Sequence, residues 1–152
     1  MNSALIDAYE HSVLKLRGAV AGLPAEKMKA FPVPGTWSIH QIVIHVVDSD
    51  IVGADRMKRI IAMDNPPLPS YDESLFTERL AYHEQSIDDA LEMMRLSSRQ
   101  MAKVLRALPE SALNRKGIHS EVGELTLKQM LERMIKHVDH HLKFIVDKRK
   151  LV

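Results

Sequence analysis

A long helix is predicted to begin within the stretch Trp37-Ser38-Ile39-His40-Gln41-Ile42-Val43-Ile44-His45-Val46-Val47. Ser38 and Gln41 have the spacing of a capping box, in which each side chain accepts a hydrogen bond from the other residue's backbone N–H. Apolar residues then recur at helical spacing as far as Ile61. Three prolines between positions 65 and 69 cannot continue a helix, so the predicted helix ends before them.

Helical periodicity extends over most of the chain on both sides of this stretch, and no segment shows sustained alternation of apolar and polar residues. The other predicted helices cover residues 3–20, 73–82, 86–107 and 126–150, and Thr126 with Gln129 forms a second capping box. Residues 31–37 and 108–125 are predicted as loops. Long helices with one apolar face each bury those faces against one another, so we expect an all-α four-helix bundle in one domain, residues 1–152.

The two halves of the sequence are alike in the residues that end and begin their helices. Gly22-Leu23-Pro24-Ala25-Glu26 follows the first helix, and Ala107-Leu108-Pro109-Glu110 ends the helix predicted at 86–107. In both halves a loop containing glycine, an apolar residue, a hydroxyl cap and a glutamine come next. Two interpretations stay open: one helix–loop–helix unit used twice, or separate uses of residues that commonly end helices. The bundle is expected under either interpretation.

Composition narrows the class of protein. The 152 residues include no cysteine, which excludes disulfides, thiolate metal sites and a cysteine nucleophile. The net charge is +1 and aromatic residues make up 5% of the chain, so we expect no nucleic-acid partner. No apolar run approaches the roughly 18 residues of a membrane span, and the first residues lack the pattern of a signal peptide. We therefore expect a soluble cytoplasmic protein with no membrane partner.

Three histidines are candidate metal ligands. His137 and His141 stand four residues apart in the last predicted helix, so their side chains share one face, one turn apart. His45 lies in the apolar run after Ser38, where an imidazole needs a polar partner. Side chains of facing helices build the metal sites of helical bundles. The alternatives stay open: a core histidine bonded to backbone at position 45, and half-exposed surface histidines at positions 137 and 141.

Three neutral imidazoles favour a divalent transition metal, nickel or zinc first and iron or manganese after them, over magnesium or calcium. Three protein ligands leave one coordination position open, as in catalytic sites. Each ligand is expected to donate its second ring N–H to another group; Asp48 and Asp139 lie nearby in sequence, but spacing assigns them no role. The remaining histidines are predicted on the surface or in loops: His11, His40, His83, His119 and His140.

Two segments resemble the motifs of a known family. Residues 37–48, with Trp37, Ser38, His45 and Asp48 at the defining positions, resemble the W-S-x-x-x-x-x-x-H-x-x-D motif of DinB-like (YfiT-type) proteins. Residues 137–141 resemble the H-x-x-H-H motif in the last helix of that family. The order of the motifs and the number of helices match over essentially the whole chain.

The resemblance implies a four-helix bundle with an up-down-down-up path and, commonly, a homodimer. It also implies a divalent metal held by His45, His137 and His141. Members with known activity transfer a low-molecular-weight thiol to an electrophile or catalyse a related isomerisation, and many others are described only as metal-dependent hydrolases. This chain departs from the family after the last histidine pair, where Leu142-Lys143-Phe144 replaces the glycine and glutamine that are frequent there.

Three functions are compatible with these residues. The first is an enzyme whose metal activates a nucleophile. Such an enzyme transfers a cellular thiol to a small-molecule electrophile, or else hydrolyses its substrate with water. No general base is identified. The second is a metal or small-molecule binding module without catalysis, and the third is a bundle whose histidines bind nothing. Because protons compete with metal for imidazole, we expect metal to be retained at about pH 7–8 and lost below about pH 6.

Overall fold

A computed structural model describes residues 3–152 of the protein. In this part of the chain the α-helices are α1 (Ser3–Glu10), α2 (Ser12–Val20), α3 (Ala25–Lys29), α4 (Ile39–Ala62), α5 (Glu73–Arg79), α6 (Ile87–Ala107) and α7 (Leu127–Arg149). The strands are β1 (Pro67–Leu68), β2 (Lys116–His119) and β3 (Gly123–Thr126), and two 3₁₀ helices cover Tyr82–Glu84 and Glu110–Asn114. Four long rods make up the fold. The first rod consists of α1 and α2 together, and the other three are α4, α6 and α7.

The three longest helices begin where the sequence predicts. The Ser38 side chain accepts a hydrogen bond from the N–H of Gln41 at 3.1 Å, and the N–H of Ser38 donates to the Gln41 side chain at 3.0 Å. Thr126 and Gln129 make the same two bonds before α7, and Ser86 caps α6. These bonds satisfy N–H groups that have no partner within their own helix. The predicted starts of α4, α6 and α7 are therefore confirmed.

The four rods form a bundle with the up-down-down-up path. Arg106 near the end of α6 pairs with Asp7 in α1, so these helices are antiparallel. Arg149 at the end of α7 donates to the carbonyl of Ala19 near the end of α2 at 2.8 Å, so α2 and α7 are parallel. Helix α4 runs antiparallel to α7, which brings the first half of α4 beside the second half of α7. The predicted all-α four-helix bundle is confirmed.

Two groups of buried apolar side chains fill the bundle, one at each end, and α4 contributes to both. Between them, Gly53 of α4 lies against Met134 of α7, where an added Cβ would overlap the methionine sulfur. The missing side chain at Gly53 therefore allows α4 and α7 to approach closely. Among residues 3–152, no helix combines the length and the apolar character that crossing a bilayer requires.

The prediction of one helix over residues 3–20 is wrong, because the chain turns at His11 between α1 and α2. The hydroxyl of Ser12 donates to the carbonyl of Ala8 at 2.9 Å. Such side-chain bonds compete with the backbone bonds of a helix and often bend it. The helix predicted at 73–82 is also too long: α5 ends at Arg79, and Ala81 has a left-handed φ of 48° that no α-helix continues.

The prediction of a plain loop at 108–125 is wrong as well, since this segment contains β2 and most of β3. β2 pairs antiparallel with β3 and parallel with β1, with Pro67 opposite Ile118. An added Cβ at Gly117 would lie 2.7 Å from the side chain of Leu68, so only glycine fits at this position of β2. Because β1 follows α4 and the other strands precede α7, the small sheet joins the loops of the two halves of the chain.

Candidate metal centre

His45 of α4 meets His137 and His141 of α7 at one point between the two helices. The Nε2 atoms of the three rings lie 3.1 Å apart in every pair. His45 is fully buried, and the other two side chains are partly exposed. The structure therefore brings together the three histidines that the sequence selects as candidate ligands, and their binding of a metal stays a prediction.

Local structure explains why these rings converge. His137 and His141 are one turn apart, so they point from the same face of α7. The antiparallel packing of α4 on α7 places His45 opposite them. Neighbouring rings then hold the imidazoles in place: the ring centroids of Trp37 and His45 are 4.8 Å apart, and those of His140 and His141 are 5.2 Å apart.

The triangle of nitrogens suits a metal better than a network of hydrogen bonds. A neutral imidazole Nε2 offers either one N–H or one lone pair, so three such atoms cannot make three hydrogen bonds to one another. Ligand nitrogens about 2.0–2.1 Å from a tetrahedral zinc ion lie about 3.3–3.4 Å from one another. The 3.1 Å separations observed between the three rings are close to that spacing. The donor set therefore fits one transition metal.

Burial keeps all three imidazoles neutral at pH 7. Desolvation is the largest cause and lowers the pKa of His45 to about 3, with contributions from His141 and His137. Burial likewise lowers the pKa of His137 to about 4, and the charges of His140 and Arg133 add to this effect. The pKa of His141 is lowered to about 4 by burial and by the two neighbouring histidines. Metal ligands must be unprotonated, so these rings are in the required state at neutral pH.

The two aspartates near the histidines in sequence do not orient the rings. Asp139 forms an ion pair with Lys15 at 2.9 Å on the surface. Asp48 accepts a hydrogen bond from the hydroxyl of Tyr82 at 2.6 Å. Among the described residues, two of the three candidate ligands have no hydrogen-bond partner at Nδ1. Ring packing, more than carboxylate contacts, therefore positions the imidazoles.

Two cavities border the cluster, and each is lined by a different candidate ligand of α7. A polar cavity of about 350 Å³ is bordered by His137 and His140 and has walls from α4, α7 and the small sheet. A mainly apolar groove of about 380 Å³ is bordered by His141, Trp37 and Phe144. Sequence reasoning missed both, because their walls come from segments far apart in the chain and have no shared motif.

Two histidines predicted on the surface or in loops are buried, so those predictions are wrong. His40 donates from Nε2 to the carbonyl of Gln85 at 2.9 Å. His119 in β2 accepts a backbone N–H at Nδ1 over 3.2 Å and borders the polar cavity. Gln85, which contacts His40, is 45 positions away, and His119 pairs with Leu68 across the small sheet. The exposed positions predicted for His11 and His140 are confirmed.

The chain is similar to a family model and to named bacterial proteins. Residues 8–145 match the model of the DinB superfamily. The chain is 27% identical over 137 residues to "Putative metal-dependent hydrolase OB0782" of Oceanobacillus iheyensis, covering 89% of this chain and 79% of the relative. It is 29% identical over 116 residues to a Bacillus cereus protein named "Putative metal-dependent hydrolase", covering 76% of this chain and 66% of the relative.

A solved structure with the same fold is YfiT from Bacillus subtilis, described as "a probable metal-dependent hydrolase with an unusual four-helix bundle topology". The TM-score is 0.90 at 22% sequence identity, over 97% of this chain and 85% of that chain. This likeness supports the bundle architecture. The family model spans all four long rods, from α1 to α7. The chain therefore belongs to the DinB superfamily.

Proposed function

We propose that the protein is a metal-dependent enzyme acting on a small molecule, with His45, His137 and His141 as ligands of one divalent transition metal. The convergence of three neutral Nε2 atoms at 3.1 Å carries this proposal. The names of the relatives, which refer to metal-dependent hydrolases, also support a metal cofactor. Imidazole ligands favour nickel, zinc or iron over magnesium and calcium.

The chain's own residues hold the site and control access to it. When bound, a divalent metal acts as a Lewis acid that makes a nearby thiol or water molecule more acidic. The fully buried His45 fixes one ligand in the core. Trp37 and Phe144 border the apolar groove beside His141. The polar cavity beside His137 offers room for a small substrate.

Two reactions use such an activated nucleophile. The first candidate is transfer of a low-molecular-weight thiol to an electrophile, which the family resemblance supports. The second is hydrolysis, which the names of the relatives favour. Both need a metal with an open coordination position, and three protein ligands leave one. They differ in whether a thiol or water attacks the electrophile.

The test compares both reactions in one untagged preparation. Elemental analysis should find about one transition metal per chain, either as purified or after metal is added back, as one three-histidine site requires. Metal-loaded protein is then assayed with 1-chloro-2,4-dinitrobenzene and a panel of cellular thiols, and separately with 4-nitrophenyl acetate. Thiol-dependent turnover that disappears in His45→Ala supports transfer, and ester cleavage that disappears in the same variant supports hydrolysis. Metal binding without either turnover favours a binding role, and no metal uptake refutes the proposal.

The homodimer implied by the family resemblance and the cytoplasmic location stay predictions. Light scattering at micromolar concentration should return about twice the chain mass of 17.2 kDa. A constant mass of one chain over a wide concentration range would contradict the dimer.

A further inference from the structure

The polar cavity beside His137 is lined by both cationic and anionic side chains. Arg56 projects from α4, and Arg133 and Lys136 project from α7. Among residues 3–152, none of these three cations forms an ion pair with a carboxylate. The cavity volume of about 350 Å³ is within the range of small-molecule sites.

Arg56 is the most restrained of these cations. The side chain is half-buried, and one terminal nitrogen donates to the carbonyl of Pro69 at 2.6 Å. The Nε atom is buried and has no hydrogen-bond partner among the described residues. A buried donor without an acceptor costs free energy, because water no longer solvates it. Since Nε has almost no solvent-exposed surface, an oxygen atom of a ligand in the cavity would supply that acceptor only after the guanidinium rotates toward it.

Arg133 brings a second guanidinium to the same cavity, next to the metal centre. It stands four residues before His137, so both side chains point from the same face of α7. Arg133 makes neither an ion pair nor a side-chain hydrogen bond among residues 3–152, and its charge lowers the pKa of both Arg56 and His137. Two unpaired guanidiniums therefore lie close enough to repel each other, and an anion between them would relieve this repulsion.

The same cavity also contains two carboxylates, Glu73 and Glu121, which could instead attract a cation. Both are exposed to solvent, and their mutual repulsion raises the pKa of Glu73 after desolvation, the larger cause. Exposed charges interact weakly because water and salt screen them. Arg56 is half-buried and its Nε keeps an unsatisfied donor, so we expect Arg56 to set the binding preference of the cavity, with Arg133 as an exposed second cation beside it.

We propose that this cavity binds an oxyanion, a carboxylate or a phosphate group, of the small-molecule substrate, with Arg56 and Arg133 as the binding side chains. The assignment rests on the proposed function, because His137 borders both the cavity and the metal centre. Guanidinium groups match the planar oxygen pairs of carboxylate and phosphate. The anionic end of the substrate would then lie beside α4 and the small sheet, and its reacting end beside the three histidines.

The test measures binding to metal-free protein, because a carboxylate could also bind a metal ion directly. Isothermal calorimetry after chelation compares four probes of similar size: benzoate, phenyl phosphate, neutral benzamide and cationic benzylammonium. We expect at least one anion to bind at least about tenfold more tightly than benzamide and benzylammonium. Whichever anion binds more tightly identifies the group as a carboxylate or a phosphate. Raising the salt concentration should weaken anion binding.

Variants then assign the binding to the arginines. Arg56→Gln and Arg133→Gln should each weaken binding of the preferred anion by at least about tenfold, and Arg56→Lys should lose affinity although the charge is kept. The matched control is Arg99→Gln in α6, which lies in a separate depression beside Glu10 and should bind the anion as the parent does. Arg133 is exposed, so its variant is expected to fold, and circular dichroism checks this.

Several outcomes would overturn the assignment. These are equal binding of benzoate and benzamide, tighter binding of benzylammonium, no binding of either anion at millimolar concentration, or unchanged affinity in both arginine-to-glutamine variants. The metal site is tested separately by metal uptake of the parent protein. If the protein takes up metal but its anion affinity is unchanged in both arginine variants, only this inference is refuted. If the protein binds the anion through the arginines but takes up no metal, only the proposed function is refuted.

Discussion

Helices α4 and α7 begin with the same type of N-terminal cap but lie in different surroundings. Each starts with a capping box of a hydroxyl residue and a glutamine, and each carries candidate ligands. In α4, residues 42–47 around His45 are all buried. In α7, residues 137–142 alternate between buried, partly exposed and exposed positions. One helix therefore supplies a ligand fixed in the core, and the other forms a wall of two cavities.

The difference shows that local sequence rules place a side chain on a helix, while tertiary packing decides what that side chain can reach. Helix α4 is covered by α6, α7 and the short segments before α6. The partly exposed rings of α7 border the spaces where a substrate fits. We expect changes in α4 to affect the metal and the stability of the fold, and changes in α7 to affect the metal and the substrate.

The largest expected effect comes from removing a ligand from either helix. His45→Ala and His137→Ala should each weaken metal binding at pH 7.5 by at least about 100-fold, since loss of even an outer contact costs about 10–100-fold. Competition with a coloured chelator measures this affinity. His140→Ala should weaken binding much less, because its side chain points about 100° away around α7 from that of His141 and only packs against that ring. Parent-like affinity in His45→Ala would remove α4 from the site.

The second effect is the response of the two helices to acid. Burial lowers the imidazole pKa to about 3 for His45 and to about 4 for His137 and His141, so all three rings should stay unprotonated well below the ordinary range of histidine. Metal should therefore be retained below pH 6, the limit expected for ordinary histidines, and be lost as the pH approaches about 4. Metal content after equilibrium dialysis from about pH 7 to pH 4 measures this loss.

The same pKa shifts set the stability of the metal-free protein. The unfolded chain takes up protons near the ordinary histidine pKa of about 6.5, whereas the folded site does not. Protonation therefore favours unfolding, and stability should fall as the pH decreases from about 6.5 toward 4. Urea midpoints should show a shallower fall in His45→Ala, which lacks one shifted group. An identical pH dependence in parent and variant would show that His45 is not held neutral by the fold.

The next effect tests the close contact between the two helices. Gly53→Val should place methyl groups against Met134 and cost about 1–3 kcal/mol in the free energy of unfolding, the usual range for overpacking. Adding Met134→Ala should recover part of this loss. Gly18→Val in α2 is the control, since nothing lies within 4 Å of its added Cβ. Equal urea midpoints for the two valine variants would argue against tight packing of α4 on α7.

The smallest effect separates the two capping boxes. Ser38→Ala should cost about 1–2 kcal/mol, and Thr126→Ala about 0.5–1 kcal/mol. Ser38 is fully buried and its oxygen also lies 2.7 Å from Nε2 of His83, so no water replaces it. Thr126 is partly exposed, and water can satisfy the freed N–H. Chemical denaturation of both variants gives the comparison, and a larger cost for Thr126→Ala would reverse the expected order.

Sequence reasoning succeeded where the signal is local. Capping boxes and apolar periodicity fixed the starts of α4 and α7, and the spacing of His137 and His141 placed both on one face. The strands could not be predicted, because β1 has two residues and β2 has four, including Gly117, which gives no apolar alternation. The burial of His40 could not be predicted either, because its ring contacts the carbonyl of Gln85, which is 45 positions away in the sequence.

The surroundings of the histidines were out of reach for the same reason. Arg56 and Arg133 are ordinary surface residues by sequence, and only the packing of α4 on α7 makes them neighbours. The repeat of a helix–loop–helix unit is visible in the two capping boxes but not in the loops. A short helix, α3, follows the first unit's Leu23-Pro24, whereas a 3₁₀ helix and two strands follow Leu108-Pro109.

The parallel pairing of β1 with β2 has a consequence for the order of folding. Pro67 and Ile118 are partners across about fifty positions of chain, and α5 and α6 lie between them. The packing of α4 on α7 joins residues that are still farther apart, since His45 and His137 are separated by 92 positions. Contacts that close longer loops cost more entropy and form later, so the small sheet can form before α7 docks on α4. Docking of α7 then completes the polar cavity and brings the three histidines together, and we expect a refolding chain to regain anion binding and metal binding in the same step.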